Sequence, residues 1–522
     1  MALSAAEVSK HKSISSCWIV IDNKVYDVTP YLEEHPGGTA ILVKQGGRDA
    51  TAEFRTVHSP DVLEYLPKGS YLGTMNPVDV ASLPAGTPSQ SADAAATAAT
   101  KPPSPSLSPP SASPPPASPQ LEVRDGQVPH IAHCVRVTDF EDVARGVLSR
   151  TAYTYAASAA HAGSSLDNNL ASWSRVTFRP RVLRDVRRAS PRTAILGLAS
   201  PFPFFVAPMG QLGRAHAGAE AELARGLARR GVHYLVSNES TLPMEEIAEA
   251  LRAEQRRLGS RGDAERADAV LFPPSQLHFQ LYVHSDRAVT VARIRRARAA
   301  GFQSLWITVD VPALGKRTPD RRLQAAEALD AGLEDAAEQA GFGRRSHAPP
   351  DHFQPSLSWA DLDWIRREWG DERPILLKGV QCAEDARLAL RHGLRGVLLS
   401  NHGGRQAHAA PDALSTLLEI RAHCPEVLGH LEIYVDGGLR DGADVLKAIC
   451  LGATAVGIGR PFLYALGAYG ARGVERCIDI LSEELVTGMR LLGISSLDEA
   501  RPDRVNASRL MNEIWYPEKS RL

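Results

Sequence analysis

Beyond about Val128 the chain repeats one pattern, in which a segment of helical periodicity is followed by a short apolar run. The helical segments and the runs that follow them are 217–230 and 233–237, 288–300 and 305–309, 359–369 and 375–377, 383–392 and 397–399, and 443–451 and 455–458. Short apolar strands that alternate with amphipathic helices predict a parallel sheet. Several such units favour a closed (β/α)8 TIM barrel of the α/β class over an open sheet.

Polar residues and glycines follow these and similar apolar runs directly. They are Ser237, Asp310, Lys378, Ser400-Asn401-His402, Asp436-Gly437-Gly438 and Gly459-Arg460. In a barrel the carboxyl ends of the strands converge on one mouth, where the active site lies. One such residue would be an ordinary capped strand end, but six in succession predict a functional site.

Composition divides the chain into three segments. Residues 1–76 are mixed and globular, residues 77–127 are dominated by Pro, Ala and Ser, and residues 128–522 carry the repeated units. The middle segment cannot bury a core and is predicted to be a flexible linker. A polar, charge-rich stretch at 318–357 is predicted to be a mobile loop over the barrel mouth.

Bulk properties exclude several classes of protein. With 43% hydrophobic and 23% charged residues and a net charge of -1, the chain gives no sign of a nucleic-acid partner or of binding to an anionic membrane. No apolar run is long enough to span a bilayer, and the start lacks the pattern of a secretory signal. Six scattered cysteines without a C-x-x-C pair indicate reduced thiols in a non-secreted protein.

The last three residues predict a compartment. Ser520-Arg521-Leu522 is a conservative variant of the S-K-L peroxisomal address. This tail favours a peroxisomal location. The alternative is a cytoplasmic location, which is expected of a chain without a targeting signal.

The N-terminal segment contains two histidines suited to haem. His35-Pro36-Gly37-Gly38 follows the strand-like run Val25–Thr29, and His58 comes 23 residues after His35. Two neutral imidazoles on separate short loops can hold iron from opposite faces of a porphyrin, with Leu32, Phe54, Val57 and Leu63 as candidate walls of the slot. Together with Trp18 and the F-x-x-x-H-S spacing, the segment resembles the cytochrome b5 family over residues 2–76. The resemblance implies a small α+β domain, non-covalent haem b with His35 and His58 as axial ligands, and one-electron transfer.

The strand ends of the barrel supply acid–base and anion-binding groups. His402 is the candidate proton acceptor because its ordinary pKa lies near neutrality. Asp310 could orient it, Arg405 suits bidentate capture of a carboxylate, and Lys378 could place a fixed charge beside an anionic ring. Each has a structural alternative, a helix cap for Asp310 and ion pairs for Lys378 and Arg405. Glycine-rich turns at 436–440 and 457–460, each with an arginine, could cradle a phosphate.

Together these motifs resemble the FMN-dependent 2-hydroxy-acid dehydrogenase and oxidase family over residues 128–500. The segments that carry the resemblance are 279–283, 308–312, 314–317, 378–380, 400–405, 435–438 and 457–462. A haem domain fused ahead of such a barrel resembles the cytochrome-type L-lactate dehydrogenases within that family.

The resemblance implies a role for each matching residue. His402, Asp310, Tyr282, Tyr155, Arg405 and Lys378 would be catalytic. The substrate would contact Tyr155, Tyr282, Arg317, His402, Arg405, Glu239 and Gly210. FMN would contact Pro208, Met209, Ser237, Gln280, Thr308, Lys378, Ser400, Asp436, Gly437, Gly438, Arg440, Gly459 and Arg460.

Two of the departures from the family pattern concern the substrate pocket. Gly210 is expected to enlarge the floor of the pocket. Glu239 stands where the family has an apolar or aromatic residue, and would either repel the substrate's carboxylate, select a polar side chain, or point outward.

The predicted function is oxidation of an L-2-hydroxy acid, with L-lactate the leading candidate, followed by transfer of electrons from FMN to haem and on to an acceptor such as cytochrome c. Family analogy adds a homotetramer, and a mitochondrial intermembrane location for which no presequence is seen. One alternative is a peroxisomal glycolate or 2-hydroxy-acid oxidase that uses oxygen. Another is a non-enzymatic haem module joined to a barrel that only binds a phosphorylated ligand.

Overall fold

A computed structural model describes residues 3–35, 37–86, 121, 123, 127–260, 272–342 and 353–516 of the chain. The Ser520–Leu522 tail and most of the predicted linker lie outside the described residues. Within the described residues no helix is both long enough and apolar enough to cross a membrane.

The N-terminal domain is a four-stranded antiparallel sheet with short helices packed around it. Its strands are β1 (Lys12–Ser13), β2 (Ser16–Ile21), β3 (Lys24–Asp27) and β4 (Tyr71–Thr74), hydrogen-bonded in that order. Its helices are α1 (Ala5–Val8), α2 (Thr39–Gln45), α3 (Thr51–Val57), a 3-10 turn Pro60–Tyr65, and α4 (Pro77–Ala81). The α+β class predicted for this domain is confirmed.

The domain ends later than its composition suggests. Helix α4 and the turn after it bury Val80 and Leu83 against Val8, Val20 and Val25. Ala85 forms an isolated β-bridge with Asp49. The prediction that the linker begins at residue 77 is therefore wrong. Residues 77–86, the first ten of the predicted linker, complete an apolar cluster of the N-terminal domain.

The C-terminal domain is built on a closed, all-parallel eight-stranded barrel. Its strands are β8 (Phe204–Val206), β9 (Tyr234–Val236), β10 (Leu277–Leu281), β11 (Leu305–Thr308), β12 (Ile375–Val380), β13 (Gly396–Leu399), β14 (Glu432–Asp436) and β15 (Ala455–Ile458). Neighbours in sequence are neighbours in the sheet, and Val456 of β15 pairs with Phe204 of β8 to close the circle. The predicted (β/α)8 TIM barrel is confirmed.

Short strands and helices surround the barrel. The outer strands are β5 (Thr177–Phe178), which pairs with β16 (Val505–Asn506), and the hairpin β6 (Thr193–Ile195) and β7 (Leu198–Ser200). The helices are α5 (Asp139–Val147), α6 (Arg150–Ala157), α7 (Ser164–Ala171), α8 (Ala219–Ala228), α9 (Met244–Gly259), α10 (Arg287–Ala299), α11 (Thr318–Asp330), α12 (Glu334–Phe342), α13 (Leu362–Trp369), α14 (Ala383–Arg391), α15 (Ala413–His423), α16 (Gly442–Cys450), α17 (Arg460–Leu492) and α18 (Ser508–Met511).

Alternate strand residues fill the barrel, as the period-two geometry of strands requires. Phe205, Trp306 and Tyr434 meet inside it with ring centroids 5.0–5.7 Å apart, and Ile195 of the β6–β7 hairpin belongs to the same cluster. Because this packing closes the interior, the polar residues at the strand ends are left as a layer at the mouth.

The segment predicted to be a mobile loop, 318–357, is helical where the structure describes its first part. Helices α11 and α12 form a hairpin, and residues 343–352 lie outside the described residues. Ala328, Ala336 and Ala337 of the hairpin bury Ala40 of α2, in the N-terminal domain. The loop prediction is therefore wrong for 318–342, because these residues gain an apolar partner that lies about 290 positions away in sequence.

Candidate active site

His402 lies in the loop after β13, with its ring turned towards Asp310. The backbone of His402, Gly403 and Gly404 is left-handed, with φ of 60°, 65° and 77°. A Cβ at Gly404 would lie 2.6 Å from the backbone nitrogen of Leu166, so this turn requires glycine there. The Nδ1 atom of His402 is 3.0 Å from Asp310 Oδ1, and the Asp310 side chain is 1% exposed.

The electrostatics of this pair favour a neutral imidazole beside an ionised carboxylate. Burial and the neighbouring Lys378 lower the pKa of His402, although Asp310 opposes them. The pKa of Asp310 is also lowered, since His402 and Lys378 together outweigh the effect of burial. When the Nδ1–H of His402 donates a hydrogen bond to Asp310, the Nε2 atom of the neutral ring presents a free lone pair. This Nε2 atom is 3.4 Å from the Tyr282 hydroxyl. The arrangement suits a proton acceptor.

Three arginines surround the ring of Tyr155. The guanidinium carbons of Arg405, Arg214 and Arg317 lie 4.9, 5.2 and 5.8 Å from its centroid. Burial, with Arg317 beside it, lowers the pKa of Arg405. The Nε atom of Arg317 is buried without a hydrogen-bond partner among the described residues. Three partly buried cations with few acidic groups nearby form a site for an anion such as a carboxylate.

A chain of polar side chains crosses the ends of three neighbouring strands. Ser237 donates to Gln280 Oε1 at 3.3 Å, and Gln280 Nε2 donates to Thr308 Oγ1 at 2.8 Å. Lys378 is 4% exposed and lies 3.5 Å from the Ser400 hydroxyl. It lies within β12 rather than after it, where the strand register is irregular. The order of these donors and acceptors fits the polar edge of a flavin ring.

The glycine-rich turns fit the ribityl and phosphate end of FMN. Asp436 Oδ1 is buried with no hydrogen-bond partner among the described residues, so it can accept from a ligand hydroxyl. Gly437 and Gly438 have φ of 94° and 82°, and a Cβ at Gly438 would lie 1.8 Å from the carbonyl oxygen of Asn169. Gly459 faces Met209, which follows Pro208 after β8.

The two arginines of this region already use some of their N–H groups in hydrogen bonds to backbone carbonyls. Arg440 donates through Nη1 to the Leu439 carbonyl at 2.9 Å. Arg460 donates to the carbonyl oxygens of Ala156, Gly403 and Ser158 at 2.9–3.1 Å, which leaves two of its five N–H groups for an anion. Arg460 therefore ties the His402 loop to the end of α6.

Gly210 does not enlarge the pocket floor, and that expectation is wrong. A Cβ at Gly210 would lie 2.9 Å from Glu239 Cβ and 3.0 Å from the Glu239 carbonyl oxygen, so Glu239 already fills this space. The Glu239 carboxylate accepts from the Tyr65 hydroxyl of the N-terminal domain at 2.8 Å and from Asn238 Nδ2 at 2.9 Å. It is thus directed towards the other domain.

The two N-terminal histidines are spaced for a shared iron. The ring centroids of His35 and His58 are 6.0 Å apart. Two metal–nitrogen bonds of about 2 Å each, with the ring radii added, span a similar distance. Burial lowers the pKa of His58 to about 3, which keeps it neutral, and His35 Nδ1 can donate to the Gly38 carbonyl at 3.2 Å, which leaves Nε2 for a metal. Leu32 is buried, and Phe54 and Leu63 pack against its cluster.

Sequence reasoning missed several residues that organise the site. Asn169 and Asn401 exchange two hydrogen bonds of 2.8 Å across the mouth. Gln406 donates to the carbonyls of Asp310 and Ala313, and so fixes the loop after β11. Tyr65 reaches the barrel from the haem-binding segment. Gln406 adjoins the S-N-H-G-G-R run and could have been found from it, whereas Asn169 and Tyr65 lie outside the motifs.

Comparison with known proteins agrees with this geometry. Residues 144–507 match the FMN-dependent dehydrogenase family, and residues 4–76 match the cytochrome b5-like haem/steroid binding domain. An L-lactate dehydrogenase (cytochrome) of Wickerhamomyces anomalus is 33% identical over 508 residues, 97% of this chain and 80% of that protein. Glycolate oxidase 3 of Oryza sativa subsp. indica is 36% identical over 391 residues, 72% of this chain and 98% of that protein. The flavin-binding domain of baker's yeast flavocytochrome b2 superposes with a TM-score of 0.64 at 32% identity, over 74% of this chain and 90% of that one.

Proposed function

The chain belongs to the FMN-dependent dehydrogenase family and carries a cytochrome b5-like domain ahead of the barrel, and from this premise we propose that it is an L-2-hydroxy-acid dehydrogenase of the cytochrome type. L-Lactate is the proposed substrate, and cytochrome c or a similar one-electron carrier is the proposed final acceptor. An L-lactate dehydrogenase (cytochrome) is among the relatives that match both domains, over 97% of this chain.

The substrate carboxylate is held by Arg405 and Arg317, with the Tyr155 hydroxyl as a further donor. These groups are partly buried, so their attraction for the anion is screened less than it would be on the open surface. Tyr282 donates to the substrate hydroxyl, which places the reacting carbon near His402. The 3.4 Å separation of Tyr282 and His402 allows one substrate oxygen to contact both.

His402 takes a proton from the substrate at Nε2. The imidazolium that forms is stabilised by Asp310 across the 3.0 Å contact. When bound, FMN would supply the acceptor for the two electrons and the second hydrogen that the substrate loses in becoming a 2-oxo acid, and haem b would supply one-electron transfer to the final acceptor. Lys378, Ser237, Gln280 and Thr308 would hold the flavin ring, Asp436, Gly438 and Arg440 the ribityl and phosphate end, and His35 and His58 the haem iron.

One observation carries this proposal: the neutral His402, oriented by a buried Asp310, lies near Arg317, whose buried Nε has no hydrogen-bond partner among the described residues. A barrel that merely bound a phosphorylated ligand would need no acid–base pair at the ends of its strands.

The test is oxygen-free stopped-flow spectroscopy of the holoenzyme with L-lactate, glycolate, L-mandelate and a longer 2-hydroxy acid. We expect L-lactate to bleach the flavin fastest, with the haem band following, and His402→Gln to abolish both signals. Bleached flavin with permanently oxidised haem would instead support the oxidase reading. Unchanged bleaching in His402→Gln would contradict the assigned base.

The compartment and assembly rest on narrower grounds. The Ser-Arg-Leu tail supports import into peroxisomes, where the electron acceptor would be something other than cytochrome c. The similarity to an L-lactate dehydrogenase (cytochrome) supports the mitochondrial alternative. A fluorescent fusion that ends in Leu522, compared with one that ends at Lys519, tests the tail. A homotetramer is proposed from the family alone and is testable by sedimentation.

A further inference from the structure

The hydroxyl of Tyr65 joins the two domains beside the substrate pocket. Tyr65 closes the 3-10 turn that follows His58 in the N-terminal domain. Its hydroxyl donates to Glu239 at 2.8 Å and accepts from Arg293 Nη1 at 2.6 Å and Asn238 Nδ2 at 2.9 Å. One donor and two acceptor sites are all that a hydroxyl offers, so every one of them is used by the barrel domain.

Neighbouring side chains hold the ring of Tyr65 in place as well as its hydroxyl. The ring stacks on His284 at 5.3 Å, and the Arg293 guanidinium lies 4.5 Å from its centroid. Arg293 is only 3% exposed. Two ion pairs flank the contact, Arg296 with Asp61 at 2.9 Å and Arg293 with Glu64 at 3.7 Å. The turn that carries Tyr65 is therefore docked on helix α10.

Glu239 connects this docking contact to the catalytic groups. Its backbone N–H donates to the Ser237 hydroxyl at 3.1 Å, and its side chain packs on Gly210. The Glu239 carboxylate is close enough to contribute, after burial and Asp310, to the raised pKa of Tyr282. The negative charge of Glu239 therefore acts on an anionic substrate bound beside Tyr282, unless positively charged groups near Glu239 balance it.

We propose that the docked haem domain, through the Tyr65 hydroxyl, holds the Glu239 carboxylate away from the bound substrate, so that haem docking and substrate binding are coupled at this side chain. This inference rests on the proposed function. Tyr65 is a positioning residue here, since it acts through Glu239 and through the placement of the haem domain, with the buried Arg293 offsetting the carboxylate charge.

Two consequences follow from the geometry. If the Tyr65 hydroxyl is lost, Asn238 is the one side-chain hydrogen-bond partner that Glu239 keeps among the described residues. Its charge then turns towards the substrate carboxylate, so the substrate binds more weakly. The haem domain also loses three hydrogen bonds to the barrel, two of them to charged groups, so it is docked for less of the time and receives electrons more slowly.

The test uses full-length holoenzyme with Tyr65→Phe, which keeps the ring contacts, and Tyr71→Phe as the matched control, because Tyr71 is 54% exposed on the same domain. Oxygen-free stopped flow separates flavin bleaching from haem reduction. In Tyr65→Phe we expect haem reduction to slow about tenfold and the half-saturating L-lactate concentration for flavin bleaching to rise several-fold, with a nearly unchanged limiting bleaching rate. Adding Glu239→Gln should restore the half-saturating concentration, because the amide has no charge, without restoring haem reduction.

Each outcome bears on the proposal separately from the proposed function. If Tyr65→Phe behaves like Tyr71→Phe, or if haem reduction slows while half-saturation stays at the wild-type value, the coupling is overturned. A failure of Glu239→Gln to restore half-saturation also overturns it, since the charge would then not be the cause. Wild-type enzyme whose haem is never reduced by substrate would refute the proposed function instead.

Discussion

Replacing Asp310 by Asn removes the charge that stabilises a protonated His402 while leaving the volume of the side chain unchanged. The Nδ1–Oδ1 contact of 3.0 Å and the 1% exposure of Asp310 make this a close, weakly screened pair. At an effective dielectric of about 20, unit charges about 4 Å apart interact by about 4 kcal/mol. The amide recovers part of this as a neutral hydrogen bond of about 1 kcal/mol. A net loss of about 3 kcal/mol slows substrate-driven flavin reduction by about a hundredfold to a thousandfold.

The same substitution shifts the pH profile in a defined direction. The base must be neutral, so flavin reduction is lost as pH falls through the pKa of His402 in the free enzyme. Asp310 raises that pKa against the effects of burial and Lys378. Its removal therefore moves the acid limb to lower pH.

The measurement is the flavin bleaching rate in oxygen-free stopped flow across pH 3 to 8, since burial and Lys378 lower the pKa of His402 to about 4 in the wild type. Asp286→Asn is the matched control, because Asp286 caps helix α10 at the surface and Asn caps equally well. A rate within about threefold of wild type, or an acid limb that moves to higher pH, would refute the reasoning about this pair.

Three further changes test other parts of the molecule. His58→Ala removes one of the paired imidazoles, so we expect the haem band to be lost on purification while L-lactate still bleaches the flavin; retained six-coordinate haem would contradict the ligand assignment. Gly213→Ala places a methyl group 2.1 Å from the Thr56 carbonyl oxygen of the haem domain, so haem reduction should slow more than flavin bleaching, and equal slowing of both would count against the docking. Glu484 accepts from the Gly442 N–H, and burial raises its pKa to about 7 from 4.5. The folded state thus holds a proton that the unfolded state releases, and stability falls as pH rises between these values. Glu484→Gln should remove about 1 kcal/mol of that loss after allowance for its partial exposure, seen as a smaller drop in melting temperature between pH 5 and pH 8; an unchanged drop would refute it.

The barrel could be predicted because its determinants are local. Each strand is a short apolar run and each helix has its own periodicity, so units such as 443–451 and 455–458 are visible in the sequence and reappear as α16 and β15. The convergence of Asp310, Lys378 and His402 follows from the topology, since the carboxyl ends of parallel strands share one mouth.

The contacts between the domains could not be predicted in the same way. Tyr65 meets Glu239 across 174 positions of sequence, and nothing local to either residue marks the other. The α11–α12 hairpin is charge-rich and has only a small apolar face. That face is buried only because Ala40 of the N-terminal domain covers it, so the hairpin's own sequence does not predict its packing. Residues 77–86 likewise have the composition of a linker, yet two side chains, Val80 and Leu83, are enough to fix them.

An oxygen-free titration of the holoenzyme with L-lactate, following flavin and haem bands together, tests most directly the claim that one chain relays electrons from substrate to haem. FMN takes two electrons and haem takes one, so complete reduction of both should require about 1.5 molecules of substrate per protomer. We predict that the haem band changes fully at that ratio. Complete flavin bleaching at about one molecule per protomer, with the haem still oxidised in a large excess of substrate, would contradict the relay.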